Sequence, residues 1–263
     1  MLCYVYNYSY ISTIVSILFT SLPIIIYTLA SVLLAGSLPM AERKFLALIQ
    51  RRVGPNLVGY KGRMQFIADA LKLLVKETIY INSVNKSMLV ILPTLYLIIN
   101  LLFMFSITWG NNLSYFSFEY DLVSIALIMA LSNKIIIYVG PVLKNKYTSI
   151  SSTRAATVAL NMDISMAFLI NLLVIYTGSF NFNQIMKIKL SSYPITFLII
   201  ASVPMVFIML MDLGRAPFDL VEAETELIMG FFSEYSGFLF VIFLLGEYLH
   251  IGILCHLINI YFL

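Results

Sequence analysis

Phe238-Leu-Phe-Val-Ile-Phe-Leu-Leu245 and, far upstream, Ile24-Ile-Ile-Tyr-Thr-Leu-Ala-Ser-Val-Leu-Leu-Ala-Gly-Ser-Leu38 are apolar on every face of a helix. Neither shows the period-two alternation in segments of about ten residues that a membrane barrel requires, so the spanning element is the helix. The composition agrees. Of 263 residues, 61% are hydrophobic and only 11% charged, against roughly a quarter charged in an ordinary soluble domain. Spread over a water-facing surface, 16 basic and 13 acidic side chains would leave more apolar area exposed than a monomer tolerates. A free-standing soluble globule is excluded, and a net charge of +3 is too small to point to nucleic acid. The fold expected is all-α, a polytopic membrane helix bundle forming a single membrane domain over residues 1–263, with the lipid bilayer as its solvent.

Apolar runs long enough to cross a bilayer occupy about 11–38, 87–108, 121–143, 152–178, 194–211 and 235–262, which predicts six spans. No repeat, low-complexity tract or second domain is visible. The N-terminus lacks a basic n-region, an A-x-A site and an Arg-rich import pattern, so the first span is expected to be retained. Arg43, Lys44, Arg51, Arg52, Lys61, Arg63, Lys72, Lys76 and Lys86 crowd the connection between spans 1 and 2, and Lys144, Lys146 and Arg154 follow on the same side. On the other side the connection around 110–120 has no Lys or Arg, and that around 178–193 has only Lys187 and Lys189. The positive-inside rule then places both termini outside and three polar connections inside. Gly54-Pro55-Asn56 is a turn signal ending the extended first helix. From Gly62 to Tyr80, Phe66, Ile67, Ala70, Leu71 and Leu74 recur at helical spacing, with Asp69, Lys72 and Lys76 on another face. Such a helix lies along the membrane surface, as an anchor or as part of a site. Cys3 and Cys255 lack metal-ligand spacing and read as two buried apolar thiols.

Ionisable groups inside spans cost on the order of 2.5–3.5 kcal/mol each on insertion scales and so mark function. Lys134 interrupts span 3 and Asp163 interrupts span 4 at matched depth, which predicts an ion pair between them, either structural or functional. Glu247 lies in span 6 beside Tyr248, with no cationic side chain within a helical turn, and can accept and release protons there. His250 and His256, six apart, fall on different faces; capping or polar packing is expected of them rather than metal binding. The densest cluster is Asp212-Leu-Gly-Arg-Ala-Pro-Phe-Asp-Leu-Val-Glu-Ala-Glu-Thr-Glu226, followed by Glu234. Gly214 can close span 5, and Pro217 suits the first turn of a short helix with Asp219 and Glu222 near its start. Glu222 and Glu226 would then share a face with Glu224 nearly opposite, and these carboxylates face one arginine, Arg215. Such a cluster titrates as a group and handles protons or cations, unless it is a solvated acidic loop.

Taken in order, Glu42-Arg-Lys, Gln50-Arg-Arg-Val-Gly-Pro-Asn56, Ala68-Asp-Ala-Leu-Lys-Leu-Leu74 with Lys76-Glu77, Arg215-Ala-Pro-Phe-Asp-Leu220, Glu222-Ala-Glu-Thr-Glu-Leu227 and Glu234-Tyr resemble subunit 1 of NADH:ubiquinone oxidoreductase, respiratory complex I. The resemblance runs from residue 42 to about 248. It implies a core membrane subunit that closes the membrane side of a quinone tunnel and begins a chain of buried acids coupling quinone reduction to proton translocation. Carried over by position, Arg43, Arg52, Asp69, Arg215 and Phe218 belong near the quinone. Asp163, Asp212, Asp219, Glu222, Glu224, Glu226, Glu234 and Glu247 belong to the proton path, and Glu42 and Arg154 match family charges at inner helix ends. The substrate implied is ubiquinone; NADH, flavin and iron–sulfur centres belong to other subunits of the redox arm. The partners implied are those subunits and the neighbouring membrane-arm subunits. An amphipathic surface helix beside basic side chains suits a quinone, admitting an apolar tail and holding a polar head.

The chain departs from the family at several positions. Asp212 and Asp163 stand where the family has Glu, Lys134 replaces an uncharged residue, often Tyr, and Val158 and Asn161-Met162 replace polar positions near Arg154. The family continues past span 6 with about two more helices, which a separate polypeptide is expected to supply. The abundance of Ile, Phe, Tyr and Asn resembles a mitochondrial gene product and implies the mitochondrial inner membrane. Two rival functions share parts of the pattern: the membrane subunit of a membrane-bound hydrogenase, and a secondary cation or proton transporter, which would need paired broken helices in related halves.

Overall fold

The computed structural model describes residues 2–79, 84–106, 120–181, 184–185, 195–215, 218–221 and 224–262. Every regular element among them is helical: α1 (Leu2–Ile49), α2 (Gln65–Val75), α3 (Lys86–Ser106), α4 (Asp121–Leu143), α5 (Lys146–Thr177), α6 (Ile195–Asp212) and α7 (Gly237–Phe262), with a short helical turn at Glu224–Leu227 and 3-10 turns at Tyr60–Gly62 and Gly230–Phe232. Each expected apolar run coincides with one of the six long helices. Four stretches are long and apolar enough to cross a membrane among the described residues, Leu22–Ile49, Asp121–Leu143, Lys146–Thr177 and Gly237–Cys255. Lys86–Leu102 and Ala201–Asp212 are shorter apolar helices.

Packing follows chain order, as short connections between antiparallel helices require. α4 lies between α3 and α5, α5 packs on α6, and α7 closes the ring against α6, α3 and α1. Small residues bring the helices close: a Cβ on Gly140 would collide with Ser152 Oγ, and one on Gly246 would stand 2.5 Å from Tyr96 Cδ1. One core cluster centres on Leu122, Ile125, Met205, Leu249 and Ile253. A second is aromatic and forms around Phe243, whose ring centroid lies 4.9 Å from that of Tyr96 and 5.3–5.5 Å from those of Phe231, Phe232 and Tyr235. The outer surface stays apolar, with Ile25, Ile26, Leu29 and Leu33 of α1 exposed, as suits a bundle solvated by lipid.

Two helix ends determine where charges go. At the end of α1 the Arg52 N–H donates to Ala47 O and the Arg51 N–H to Leu48 O, with Arg51 in the left-handed region at φ 53°. This is a Schellman closure, which usually takes Gly at the left-handed position. It stops the helix just before the expected Gly54-Pro55 turn and leaves Arg52 exposed. At the end of α6 the same motif uses Gly214 at φ 58°, with the Arg215 N–H donating to Leu210 O and the Gly214 N–H to Met211 O. Gly214 thus closes the fifth apolar helix as expected.

Three expectations need correction. The helix read over 62–80 is confined to Gln65–Val75: Gly59 and Gly62 take positive φ, and Lys76 is extended at ψ 132°. The short helix expected after Gly214 is not present where the chain is described: Pro217 lies outside the described residues, residues 218–221 are non-helical and the helical turn begins at Glu224, with the Phe218 N–H donating to Arg215 O. Cys255 is not buried but exposed on α7, on a face that no described helix covers; the side chain of Cys3 lies outside the described residues.

Candidate functional site

Three distant parts of the chain, α1, α7 and the loop after α6, converge around Arg215. The Schellman turn at Gly214 projects Arg215 back toward the bundle. Its Nη1 lies 2.8 Å from Oε1 of Glu42 on α1, and its Nη2 lies 3.7 Å from Oε1 of Glu247 on α7. The Tyr248 hydroxyl donates to Oε2 of Glu42 at 3.0 Å, and the guanidinium sits 5.5 Å from the centre of the Tyr248 ring. Burial pulls the Arg215 guanidinium down, but the Tyr248 hydroxyl and the Glu247 and Glu42 carboxylates outweigh it and hold it above the ordinary arginine value. Arg215 is therefore a fixed positive charge between two acids. Glu247 is not the isolated carboxyl its own helix suggests, since its countercharge arrives from 32 positions away in sequence. Asp219 interacts electrostatically with the same carboxyl, and its Oδ1 is buried without a hydrogen-bond partner among the described residues.

A second polar group lies deeper. Asp212 Oδ2 is 2.7 Å from His250 Nε2, with both side chains almost fully buried at 3% and 4% exposure. Asn133 donates to Asp212 Oδ1 at 2.8 Å, His250 Nδ1 lies 3.1 Å from Asn100 Oδ1, and Asn100 Nδ2 donates to Gly246 O at 3.2 Å. A cavity with about 70 Å³ of room for water is lined by Asp212, Asn133, His250 and Glu247. A neighbouring one of about 250 Å³ is lined by Asp163, Asp212, Asn133 and apolar side chains. Asp212 and Asn133 belong to the walls of both.

Lys134 and Asp163 do not form the expected direct ion pair. Asp163 feels the Lys134 charge and that of Asp212, but Lys134 is exposed. Neighbouring residues of a helix point about 100° apart, so the position that faces the cavities on α4 belongs to Asn133 and turns Lys134 outward.

The acidic loop is also less concentrated on Arg215 than its sequence suggests. Glu226 pairs with Arg154 of α5, Nη1 to Oε2 at 2.7 Å, in an exposed contact. Glu234 accepts from the Asn145 side chain. Glu222 lies outside the described residues, as does the side chain of Glu224. Phe218 is half-buried beside Arg215. On the surface side, Arg43 Nη1 pairs with Asp69 Oδ2 at 2.8 Å, and Gln65 donates to the other Asp69 oxygen at 3.0 Å. This ties α2 to α1, while Ile67, Leu71 and Leu74 of α2 remain exposed.

From sequence His250 reads as a packing residue, and nothing in the motifs singles out Asn100 or Asn133. The missed signal is the asparagine itself: two buried or half-buried amides in otherwise apolar helices need hydrogen-bond partners, and here both lead to Asp212 and His250.

A family model described as NADH dehydrogenase matches residues 21–263. "NADH-ubiquinone oxidoreductase chain 1" of Paramecium tetraurelia is 37% identical over 240 residues, covering 90% of this chain and 91% of that protein. The protein of the same name from Neurospora crassa is 33% identical over 258 residues, covering 97% and 67%. An NADH-quinone oxidoreductase subunit of Erythrobacter litoralis is 31% identical over 259 residues, covering 95% and 72%. Matched along nearly its whole length, the chain belongs to the NADH dehydrogenase family that holds chain 1 of the NADH-ubiquinone oxidoreductases.

Proposed function

We propose that the chain is the subunit of NADH:ubiquinone oxidoreductase that couples quinone reduction at the surface of the mitochondrial inner membrane to proton movement within it. In this reading six helices span the bilayer and α2 lies along its surface, joined to the quinone-site subunits of the redox arm and to neighbouring membrane-arm subunits. One observation carries the proposal: Arg215, on the surface loop, is held between Glu42 and the membrane-embedded Glu247. A group reacting near that loop can therefore change the surroundings of a buried acid without touching it.

Electrons arrive from NADH through redox centres on other subunits. Arg43, Arg52, Asp69, Arg215 and Phe218 frame the space for the quinone head, and the apolar side of α2 accompanies its tail. A quinone gaining electrons becomes anionic until it is protonated, and an anion near Arg215 competes with Glu42 and Glu247 for the guanidinium. Glu247, deprived of its countercharge, takes up a proton, because an unpaired carboxylate in a low-dielectric site is costly. The proton then has Asp212 and Asp163 ahead of it, with Asp219, Glu222, Glu224, Glu226 and Glu234 on the side from which it enters.

Glu247→Gln in the assembled complex tests the proposal. The expected outcome is a loss of about tenfold or more in NADH:quinone turnover and proton translocation per complex, counted by NADH oxidation with a soluble acceptor. Wild-type turnover with a wild-type proton yield would overturn it.

A further inference from the structure

We propose that His250 is a proton-storing residue of this chain, sharing one proton with Asp212 at the junction of the two cavities. The inference builds on the coupling function above, and it rests on hydrogen-bond bookkeeping in a buried network.

Gly246 O can only accept, so the Asn100 atom 3.2 Å from it is the amide nitrogen. Asn100 then turns its oxygen toward His250, and that oxygen can only accept, so Nδ1 of His250 carries the hydrogen across the 3.1 Å contact. Asn133 donates to Oδ1 of Asp212 at 2.8 Å. What remains is Nε2 of His250 facing Oδ2 of Asp212 at 2.7 Å. With Nδ1 protonated, a neutral ring presents a lone pair at Nε2, and an ionised carboxylate presents another. Two lone pairs do not meet at 2.7 Å between side chains only 4% and 3% exposed, so one more proton lies between them. It is either on oxygen, as carboxylic acid and neutral imidazole, or on nitrogen, as carboxylate and imidazolium. Passing between these states breaks one O–H bond, forms one N–H bond and moves no heavy atom. Every other hydrogen bond of the network survives in both.

The ring is not a wire. Its second nitrogen is committed to Asn100, so a proton cannot enter at one nitrogen and leave from the other. It must arrive at and depart from Asp212, whose carboxyl lines both cavities. Room of about 70 Å³ on the Glu247 side and about 250 Å³ on the Asp163 side exceeds the ~10–15 Å³ that one water occupies. His250 thus holds the proton between arrival and departure. The ionisable groups around the pair are Glu247 and Tyr248 on its own helix, Glu42 on α1, Tyr96 on α3, Lys134 on α4, Asp163 on α5, and Arg215 and Asp219 on the loop. Glu247 interacts electrostatically with His250, and Asp163 with Asp212, so the pair is sensed from both sides.

The experiment compares His250→Asn, Asp212→Asn and the double variant in the intact complex, with turnover and proton yield normalised to NADH oxidation by a soluble acceptor. An amide at 250 fills the site and can bond to Asp212 and Asn100 but cannot store a proton. The expected result is a loss of about tenfold for each single variant and no further loss in the double, the behaviour of residues that act as one unit. Losses that multiply in the double variant would overturn the proposal. So would wild-type turnover and proton yield in His250→Asn; if Glu247→Gln is impaired in the same membranes, only the storage role fails and the coupling function stands. A readout independent of assembly of the variants is the infrared difference spectrum of the wild-type complex on quinone reduction, with isotopically labelled histidine. A labelled imidazole band that changes protonation and is coupled to a carboxyl band is expected; no labelled band would overturn the proposal.

Discussion

The guanidinium of Arg215 and the carboxylate of Glu42 meet at 2.8 Å although 173 positions separate them in the chain. Glu42 lies about two turns before the end of α1 at Ile49, beside Arg43 and Lys44, and Arg215 follows closely on the helix that carries Asp212. The contact locks the first long helix to the acidic loop, and Tyr248 completes the lock by donating to the free oxygen of Glu42.

Arg215→Lys should break this arrangement while keeping the charge. An ammonium is a point donor and cannot face two carboxylates and an aromatic ring as a planar guanidinium does. The arginine and Glu42 are each about one-third exposed, 34% and 37%, so solvent screening reduces the cost well below that of a fully buried pair. We expect about 1–2 kcal/mol, a five- to thirtyfold fall in quinone turnover per complex, measured with a short-chain quinone.

Tyr248→Phe removes only the hydroxyl and leaves the ring beneath Arg215. Loss of one hydrogen bond to a partly exposed carboxylate costs about 1 kcal/mol. Coupled turnover should fall roughly fivefold, less than for Arg215→Lys, and the double variant should be no worse than Arg215→Lys alone if both act through Glu42.

Asp69→Asn separates a surface role from a stability role. The Arg43–Asp69 pair is exposed, 58% and 35%, and such pairs contribute about 0–1 kcal/mol. The melting behaviour of the complex should barely change, while the KM for quinone shifts because Arg43 loses its fixed orientation beside α2. An unchanged KM would remove Arg43 and Asp69 from the quinone site.

Gly140→Ala tests the seam between α4 and α5. The added methyl runs into Oγ and Cβ of Ser152 and comes within 2.9 Å of the Thr148 carbonyl, and overpacking of this kind costs about 1–3 kcal/mol. Assembled complex on native gels should drop severalfold, and Ser152→Gly in the same chain should recover part of it.

The helices were legible in the sequence because lipid imposes one rule on every backbone group, and apolar runs such as Asp121–Leu143 obey it to within a residue or two. The charged words around Glu42, Arg215 and Glu247 stand out in the sequence as candidates, but their pairing does not. Tyr248 finds Glu42 across 206 positions, and no periodicity along one helix encodes which residue of another will face it. The Lys134–Asp163 expectation fails on rotation about the helix axis: Lys134 is exposed and α4 turns Asn133 toward the cavities instead. His250 reads as a packing residue in the sequence because its hydrogen-bond partners come from other helices, α3 and α6.

The left-handed residue that ends α6 has a mechanical implication. Asp212 and Arg215 stand on either side of Gly214, one sealed in the bundle and the other at the surface, and the crossed hydrogen bonds from Arg215 to Leu210 and from Gly214 to Met211 make this joint stiff. In the coupling proposed above, a tug on the guanidinium by an incoming anion would be felt as torque on the last turn of α6, next to the contact between Asp212 and the imidazole. The proposed surface reaction and the interior acid would then be linked by a short rigid crank of backbone as well as by charge.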